Sequence, residues 1–201
     1  MMGVTLSGTN YSLAIKFQIT NFINWSLHFR KMKGITFIED FIDNPIELFE
    51  ILKSSVEWDE RMSARKTASF GKAYNYSQIS YPFQNFTSEL KSITDLVEKA
   101  LNFAPNNCLI NYYLDGKSKM GFHSDQTDIL CEETGVAIVS IGETRTLRFR
   151  NIDNKELISD YDLPPGSLIY MRNEIQDKWQ HAIPKSNTEK GRMSLTFRKM
   201  K

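Results

Sequence analysis

Two of the three histidines in the chain stand where they could bind a metal ion. His123 and Asp125 form a His-x-Asp pair, and His181 lies on a later predicted strand. In an extended segment, side chains two residues apart point to the same face. Two imidazoles and one carboxylate form the facial triad that holds non-haem Fe(II) and leaves coordination positions open. The pattern therefore favours an Fe(II) site, with a surface histidine beside a loop aspartate as the alternative.

The last predicted strand, residues 192–198, separates polar from apolar side chains. Its alternation places Arg192, Ser194, Thr196 and Arg198 on one face and Met193, Leu195 and Phe197 on the other. The apolar face belongs in a core, so the polar face would line the inner wall of a barrel. Buried guanidiniums are unfavourable without a negative partner. This face therefore predicts a dianionic ligand or separate acidic partners, and a solvated edge strand is the alternative.

The turn residues and apolar residues predict an α+β protein. Asn44 and Pro45 predict the start of a helix with an apolar face of Ile46, Phe49, Leu52 and Val56. A second helix is predicted from about Thr87 to Leu101, with Leu90, Ile93, Leu96, Val97, Ala100 and Leu101 on one stripe. One strand is predicted at 34–43, and β-rich segments follow the helices at 108–114, 136–141, 146–150, 167–172, 179–183 and 192–198. This order is typical of a sandwich or jelly roll.

The composition predicts one globular domain. The chain has 201 residues, of which 41% are hydrophobic and 24% charged, close to the globular average. A formal net charge of +1 excludes a uniformly basic nucleic-acid-binding protein, so a polyanion would have to meet a local patch. No apolar run approaches the roughly 20 residues of a membrane helix, and Lys16 interrupts the candidate secretory stretch. Cys108 and Cys131 are expected to be reduced thiols in a cytosolic protein.

Four segments together resemble the AlkB family, whose members are Fe(II)- and 2-oxoglutarate-dependent dioxygenases that remove alkyl groups from nucleic-acid bases. The segments are Asn111-Tyr-Tyr113-x-Asp-Gly116, His123-x-Asp125, Trp179-Gln-His181-Ala-Ile-Pro184 and Arg192-x-Ser-Leu-Thr-Phe-Arg198. They follow the family's order within residues 34–201, and the combination is specific although no single motif is. The resemblance implies a double-stranded β-helix (jelly-roll) core with flanking helices and an N-terminal lid.

The resemblance also assigns roles to residues around the predicted iron. His123, Asp125 and His181 match the family's metal ligands. Arg192 and Arg198 match the two arginines that bind 2-oxoglutarate, and Asn111 and Tyr113 match side chains that hydrogen-bond its carboxylates. A dianionic cosubstrate would account for two guanidiniums on one face. Family members usually carry asparagine in place of Ser194, whose hydroxyl reaches less far, so cosubstrate affinity is expected to be altered.

A nucleotide-recognition lid is predicted over about residues 61–85. The segments Arg65-Lys-Thr-Ala-Ser-Phe-Gly71 and Tyr74-Asn-Tyr76-Ser resemble the lid of the repair-type members. The region combines cations with aromatic rings, a composition that suits phosphate binding and base stacking. The resemblance implies that Arg65 and Tyr74 bind substrate and that Tyr76 lies against a flipped base. An amphipathic hairpin that covers the core is the alternative.

One departure from the family follows the metal aspartate. DNA-repair members carry acidic residues directly after it, whereas this chain continues Gln126-Thr127-Asp128. Asp128 remains a predicted substrate residue, but its displacement means that base preference does not carry over. Residues 1–33 show no clear period and are predicted to be an N-terminal extension of a dioxygenase domain at 34–201.

The function implied by the resemblance is oxidative dealkylation of N-alkylated bases with Fe(II), O₂ and 2-oxoglutarate, which releases succinate, CO₂ and an aldehyde. The expected partner is alkylated DNA or RNA, presented as a single strand or a flipped base to a monomer in the cytoplasm, or in the nucleus of a eukaryote. One alternative keeps the chemistry but acts on a protein side chain, lipid or small metabolite. Another is a catalytically silent β-barrel binding module. The basic and aromatic lid favours nucleic acid, and the complete set of ligands and arginines favours an enzyme.

Overall fold

The computed structural model describes residues 32–76 and 78–201. Twelve strands lie in this part of the chain. They are β1 (Ile35–Ile38), β2 (Lys66–Gly71), β3 (Tyr74–Tyr76), β4 (Ile79–Tyr81), β5 (Asn107–Tyr113), β6 (Met120–His123), β7 (Gly135–Gly142), β8 (Arg145–Asn151), β9 (Ile158–Leu163), β10 (Leu168–Arg172), β11 (Trp179–Ile183) and β12 (Arg192–Arg198). The helices are α1 (Pro45–Ser55), α2 (Ser88–Leu101) and the single-turn α3 (Asn173–Gln176).

Two antiparallel sheets form the core. The larger has six strands in the order β1-β10-β7-β12-β5-β2, and the smaller has four in the order β6-β11-β8-β9. An apolar cluster between the sheets includes Leu109 and Ile138 of the larger sheet and Phe149 and Ile183 of the smaller one. A second cluster packs α1 and α2 against the outer face of the larger sheet. These facing sheets with flanking helices confirm the predicted jelly-roll core.

Strand β12 lies in the interior of the larger sheet, between β7 and β5. Met193, Leu195 and Phe197 all belong to the cluster under the helices, and the alternate side chains line a pocket between the two sheets. Arg192 and Arg198 are consequently buried. The predicted division of this strand into an apolar and a polar face is confirmed, and the solvated edge strand is excluded.

The helices match their predicted positions, but their buried faces are narrower. Helix α1 begins at Pro45, while Asn44 adopts left-handed backbone angles and, among the described residues, makes no side-chain capping hydrogen bond. Ile46, predicted to be on the apolar face, is 74% exposed. Leu96 of α2 is likewise exposed. Helical spacing defines a stripe, but burial requires a neighbouring element over each position, and Ile46 and Leu96 are left uncovered.

The structure adds strands that the sequence pattern did not predict. Strand β6 has only four residues, and β9 is an edge strand with two exposed aspartates, so neither shows a clear apolar alternation. The predicted lid also divides into two parts. Its first part, β2, is an edge strand of the larger sheet beside β5, whereas β3 and β4 form a separate two-stranded hairpin.

The predicted extension at residues 1–33 lies, apart from its last two residues, outside the described part of the chain. Within the described residues, each helix is too short or too polar to cross a membrane.

Candidate active site

The predicted metal ligands come together between the two sheets. Antiparallel pairing of β6 with β11 places His123 directly opposite His181, and their ring centroids are 4.3 Å apart. Asp125 lies in the loop just after β6, and its Oδ2 is 3.5 Å from Nε2 of His181. One ligand atom from each of the three residues lies within 4.8 Å of the others. This is the only group of three such side chains close enough to share a metal ion in the part of the chain that the structure describes.

The protonation states of these side chains suit a cation. Nδ1 of His123 lies 3.0 Å from the Gly121 carbonyl oxygen, and a proton donated there leaves the Nε2 lone pair free. Burial lowers the pKa of His181 to about 4, so its imidazole is neutral at pH 7. Burial alone would raise the pKa of Asp125, but the Arg198 guanidinium and both imidazoles bring it below its ordinary value. The site therefore offers one carboxylate, the neutral imidazole of His181 and the imidazole of His123.

Unpartnered buried atoms test whether the site fits Fe(II). Among the described residues, Oδ2 of Asp125 and Nδ1 of His181 are buried without a hydrogen bond. A buried carboxylate oxygen without a partner is costly, and a bound divalent cation would compensate it. Ligand atoms that share one ion at about 2.1 Å lie roughly 3 to 4 Å apart. The 3.5 Å between Asp125 and His181 falls in this range, and all three ligand atoms lie within 4.8 Å of one another. The two-histidine, one-carboxylate donor set is also the one that suits non-haem Fe(II).

The lowered pKa of His181 predicts how the stability of the metal-free protein depends on pH. As pH falls below 6.5, the unfolded chain binds the proton first, because the folded imidazole titrates only near 4. The free energy of unfolding should therefore decrease between pH 6.5 and 4, by up to about 3 kcal/mol. Urea denaturation of the metal-free protein across this range measures the effect. His181→Gln should show a shallower dependence, and an equally steep one would contradict the prediction.

Arg198 connects the metal loop to the larger sheet. Its Nη2 donates a hydrogen bond of 2.8 Å to Oδ1 of Asp125, and its guanidinium lies 5.2 Å from the Tyr74 ring centroid. The sequence pattern had left this arginine without an acidic partner, and the structure pairs it with the metal carboxylate. Nη1 of Arg198 is buried and has no partner in the described residues. One edge of the guanidinium is therefore available for a second anion.

Arg192 is buried without an acidic partner in the described residues. Its Nη2 donates to the Ser140 hydroxyl at 2.6 Å, its Nε has no partner, and its charge lies 5.4 Å from the Tyr113 ring centroid. Burial lowers the pKa of Arg192 to about 10, which leaves it charged at pH 7. An uncompensated buried cation of this kind indicates an anion-binding position. Arg192 and Arg198 line the same pocket as the metal triad.

Asn111 and Tyr76 are joined by Arg65. Nε of Arg65 donates to Oδ1 of Asn111 at 2.7 Å, and its Nη2 donates to the Tyr76 hydroxyl at 2.8 Å. Because Oδ1 of Asn111 accepts from Arg65, its amide nitrogen is the atom left to donate toward a ligand. Asn111 and Tyr76 both line the pocket. Arg65 thus connects the predicted lid to a predicted cosubstrate residue.

The remaining predicted residues differ in their relation to the pocket. Tyr113 and Ser194 line it, and the Tyr113 hydroxyl lies 3.9 Å from the Met120 sulfur. Tyr74 is buried and stacks on Tyr76, with 6.0 Å between ring centroids. Asp128 is exposed and is not among the residues that line the pocket. A substrate role for Asp128 stays a prediction, without a contact to support it.

Two polar residues near the site were not predicted from the sequence. Ser140, the partner of Arg192, interrupts the otherwise apolar strand β7, and a polar residue in a buried strand could have indicated it. Arg145 is almost completely buried, and it donates to the carbonyl oxygens of Asp115, Ser118 and Pro184. It therefore holds together the loops at one end of the pocket. The sequence pattern around Arg145 contains nothing that indicates this role.

Comparison with known proteins agrees with this geometry. The sequence profile of the 2OG-Fe(II) oxygenase superfamily matches residues 41–198. Alpha-ketoglutarate-dependent dioxygenase alkB homolog 3 of Mus musculus is 30% identical over 171 residues, which cover 75% of this chain and 60% of that protein. DNA oxidative demethylase ALKBH2 of Homo sapiens is 28% identical over 177 residues, which cover 77% of this chain and 68% of that protein.

The fold has a solved counterpart. The structure of OsALKBH1 has a TM-score of 0.62 at 14% identity, and the match covers 86% of this chain and 100% of that chain. The chain spans about 60% of the length of the first curated relatives that it matches. The family profile extends over most of the chain and includes every strand except β1, together with the metal triad and the two buried arginines. The chain therefore belongs to the 2OG-Fe(II) oxygenase superfamily, and the curated relatives that it resembles are alkB homologues.

Proposed function

We propose that this protein removes alkyl groups from the nitrogen atoms of nucleic-acid bases by oxidation with O₂ and 2-oxoglutarate. One observation carries the proposal: the pocket that contains the metal triad and the buried arginines is also lined by Tyr76 of the lid. An aromatic ring beside an iron site suits a flat, unsaturated substrate. The names of the relatives, one of them a DNA oxidative demethylase, support the same substrate class.

Cosubstrate binding follows from the charges in the pocket. Arg192 and the free edge of Arg198 offer two guanidinium groups to the two carboxylates of 2-oxoglutarate. The amide nitrogen of Asn111 can donate a hydrogen bond because Arg65 occupies its oxygen. His123, Asp125 and His181 would hold Fe(II) beside the cosubstrate. These residues bind and orient the reactants before any bond changes.

When bound, Fe(II) and 2-oxoglutarate would supply the oxidation of the alkyl carbon by O₂, and 2-oxoglutarate would be converted to succinate and CO₂. The hydroxylated group leaves as an aldehyde, and the base nitrogen regains a proton. The apolar walls formed by Leu109, Ile138 and Leu147 exclude water from this reaction.

The target base has to leave the helical stack to reach this pocket, because the triad lies between two sheets. Tyr76 would stack on the base, and the hydrogen bond from Arg65 would hold the tyrosine ring in place. Tyr74 is buried and stacks on Tyr76, so it would support that ring, and its own contact with substrate stays a prediction. With a net charge of +1, binding to the strand would depend on a local basic patch and weaken with salt.

We also propose that the protein acts as a monomer, in the cytoplasm or, in a eukaryote, in the nucleus. The metal triad and both buried arginines that the reaction requires come together in one pocket of this chain. Cys108 and Cys131 are free thiols, consistent with a reducing compartment.

The proposed function is tested by release of succinate and formaldehyde with Fe(II) and 2-oxoglutarate present. The substrates are N-methylated single- and double-stranded DNA and RNA oligonucleotides, and the controls are the same sequences without methyl groups. At least one methylated oligonucleotide should raise both products in equal amounts. If succinate forms at the same rate with and without every oligonucleotide, the substrate is not a base, and a protein side chain, lipid or small metabolite becomes the better candidate.

Tyr76 gives a sharper test of the substrate class. Stacking of a base on an aromatic ring contributes about 1–3 kcal/mol, so Tyr76→Ala should lower kcat/KM for a methylated oligonucleotide by roughly ten- to a hundredfold. Tyr76→Phe keeps the ring and loses only the hydroxyl that accepts from Arg65, so it should retain most of the activity. Equal losses in the two variants would mean that the hydroxyl, and not stacking, is the important contact.

A further inference from the structure

Gln176 connects the two segments that carry the metal ligands. It is the last residue of α3, five residues before His181, and it is buried. Its Oε1 accepts a 2.8 Å hydrogen bond from the backbone amide of Asp125. Its Nε2 lies 3.7 Å from the sulfur of Met171, a fully buried residue at the end of β10. The side chain of Gln176 therefore bridges strand β10 and the loop that carries Asp125.

The orientation of the Gln176 amide is determined by its neighbours. The Asp125 group is an N–H donor, so only Oε1 of Gln176 can pair with it; the reversed amide would place two donors together. The backbone at Gln176 is also held in place. Ile175 packs into the cluster between the sheets, and its carbonyl accepts from the Lys178 amide. Helix α3, held by these contacts, thus presents Oε1 of Gln176 as an acceptor to the loop that carries Asp125.

The contact controls where the Asp125 carboxylate can lie. His123 and His181 are held opposite each other by strand pairing, but Asp125 follows the end of β6 and lacks that support. Its carboxylate is held by Arg198 and its backbone by Gln176. The hydrogen bond to this amide is partly buried. Leaving a buried amide without an acceptor destabilises the folded state by about 1–3 kcal/mol, so the loss of Oε1 would favour a movement of the loop toward another partner. Such a movement carries the carboxylate away from the two imidazoles.

We propose that Gln176 is a positioning residue for metal binding, which holds the Asp125 backbone so that the carboxylate stays within reach of His123 and His181. This role concerns the metal site alone and is independent of which substrate the enzyme oxidises. Groups that orient metal ligands in this way change metal affinity by about 10- to 100-fold when they are removed.

The test measures binding of Mn(II), a redox-stable probe of the Fe(II) site, by calorimetry. Gln176→Leu keeps a similar volume and removes the acceptor, whereas Gln176→Glu keeps an oxygen acceptor at the same position. Gln180→Leu is the matched control: Gln180 lies on β11 beside His181, but its side chain accepts from Arg150 and is not part of the pocket lining. Thermal melts of the metal-free variants measure stability separately.

Gln176→Leu should raise the Kd for Mn(II) by about 10- to 100-fold, while Gln176→Glu and Gln180→Leu should weaken binding by no more than about twofold. The proposal is overturned if Gln176→Leu binds Mn(II) as tightly as the parent, or if Gln176→Glu or Gln180→Leu weakens binding as much as Gln176→Leu. Should Gln176→Leu fail to fold, hydrogen exchange in the unmodified metal-free protein decides: the Asp125 amide should be protected, and exchange at the rate of an exposed amide would overturn the proposal.

Discussion

Asp125→Ala is expected to abolish iron binding and turnover together. The substitution removes the one charged ligand of the triad and leaves two imidazoles, which cannot hold a labile divalent ion well. It also leaves Arg198 buried without its carboxylate partner. Removing one partner of a buried ion pair costs about 3–5 kcal/mol. The metal-free variant should therefore unfold at a clearly lower urea concentration than the parent.

A comparison with Asp125→Asn separates the two effects of this substitution. The asparagine carbonyl can still accept from Arg198, so stability should fall less than in Asp125→Ala, while iron binding should be lost in both variants because the charge is gone. Iron stoichiometry after anaerobic reconstitution and urea denaturation give the two readouts. If Asp125→Ala retained one iron per chain and most of its activity, the metal assignment would be wrong.

Arg192→Met should weaken the binding of 2-oxoglutarate without lowering the stability of the metal-free protein. Loss of a buried guanidinium that pairs with a ligand carboxylate costs about 2–5 kcal/mol, so the Kd for 2-oxoglutarate should rise by about thirtyfold or more. The metal-free protein should be as stable as the parent or more stable. Arg192 is 1% exposed and has only a serine hydroxyl as a hydrogen-bond partner in the described residues, and an apolar side chain of similar length removes an uncompensated charge.

Titration of 2-oxoglutarate in the presence of Mn(II) and thermal melts measure these two expectations. Arg148→Met is the control, because Arg148 is a partly exposed arginine paired with Asp160 on the smaller sheet, and it should leave the cosubstrate titration unchanged. An unchanged titration in Arg192→Met would remove this arginine from the cosubstrate site. A large loss of stability would show that the guanidinium supports the fold and not a ligand.

Several parts of the site could be predicted because they depend on short-range periodicity. The alternation in 192–198 is enough to place two arginines on the inner face of a sheet, and Pro45 is enough to begin α1. Two histidines and one aspartate at the spacing of His123, Asp125 and His181 are enough to propose a metal site, because this donor set is one of the few that suit Fe(II). The resemblance to the AlkB family added roles for these positions, and the family profile agrees with it.

The partners of these residues were decided only by the tertiary structure. Sequence periodicity shows which face a side chain occupies but not what lies across from it. The pairing of Arg198 with Asp125 and of Gln176 with the Asp125 backbone joins residues more than fifty positions apart. The exposure of Ile46 was likewise decided by whether another element packs over it, which helical periodicity does not show.

The chain itself therefore determined the chemistry of the site: a donor set for Fe(II), two cations for a dianion, and aromatic rings for a flat substrate. The fold decided which of these groups are already paired and which are left open. That division has a physical reason. Residue type and alternation are local properties, whereas compensation of a buried charge or amide depends on the atoms that the opposite sheet brings within about 3 Å.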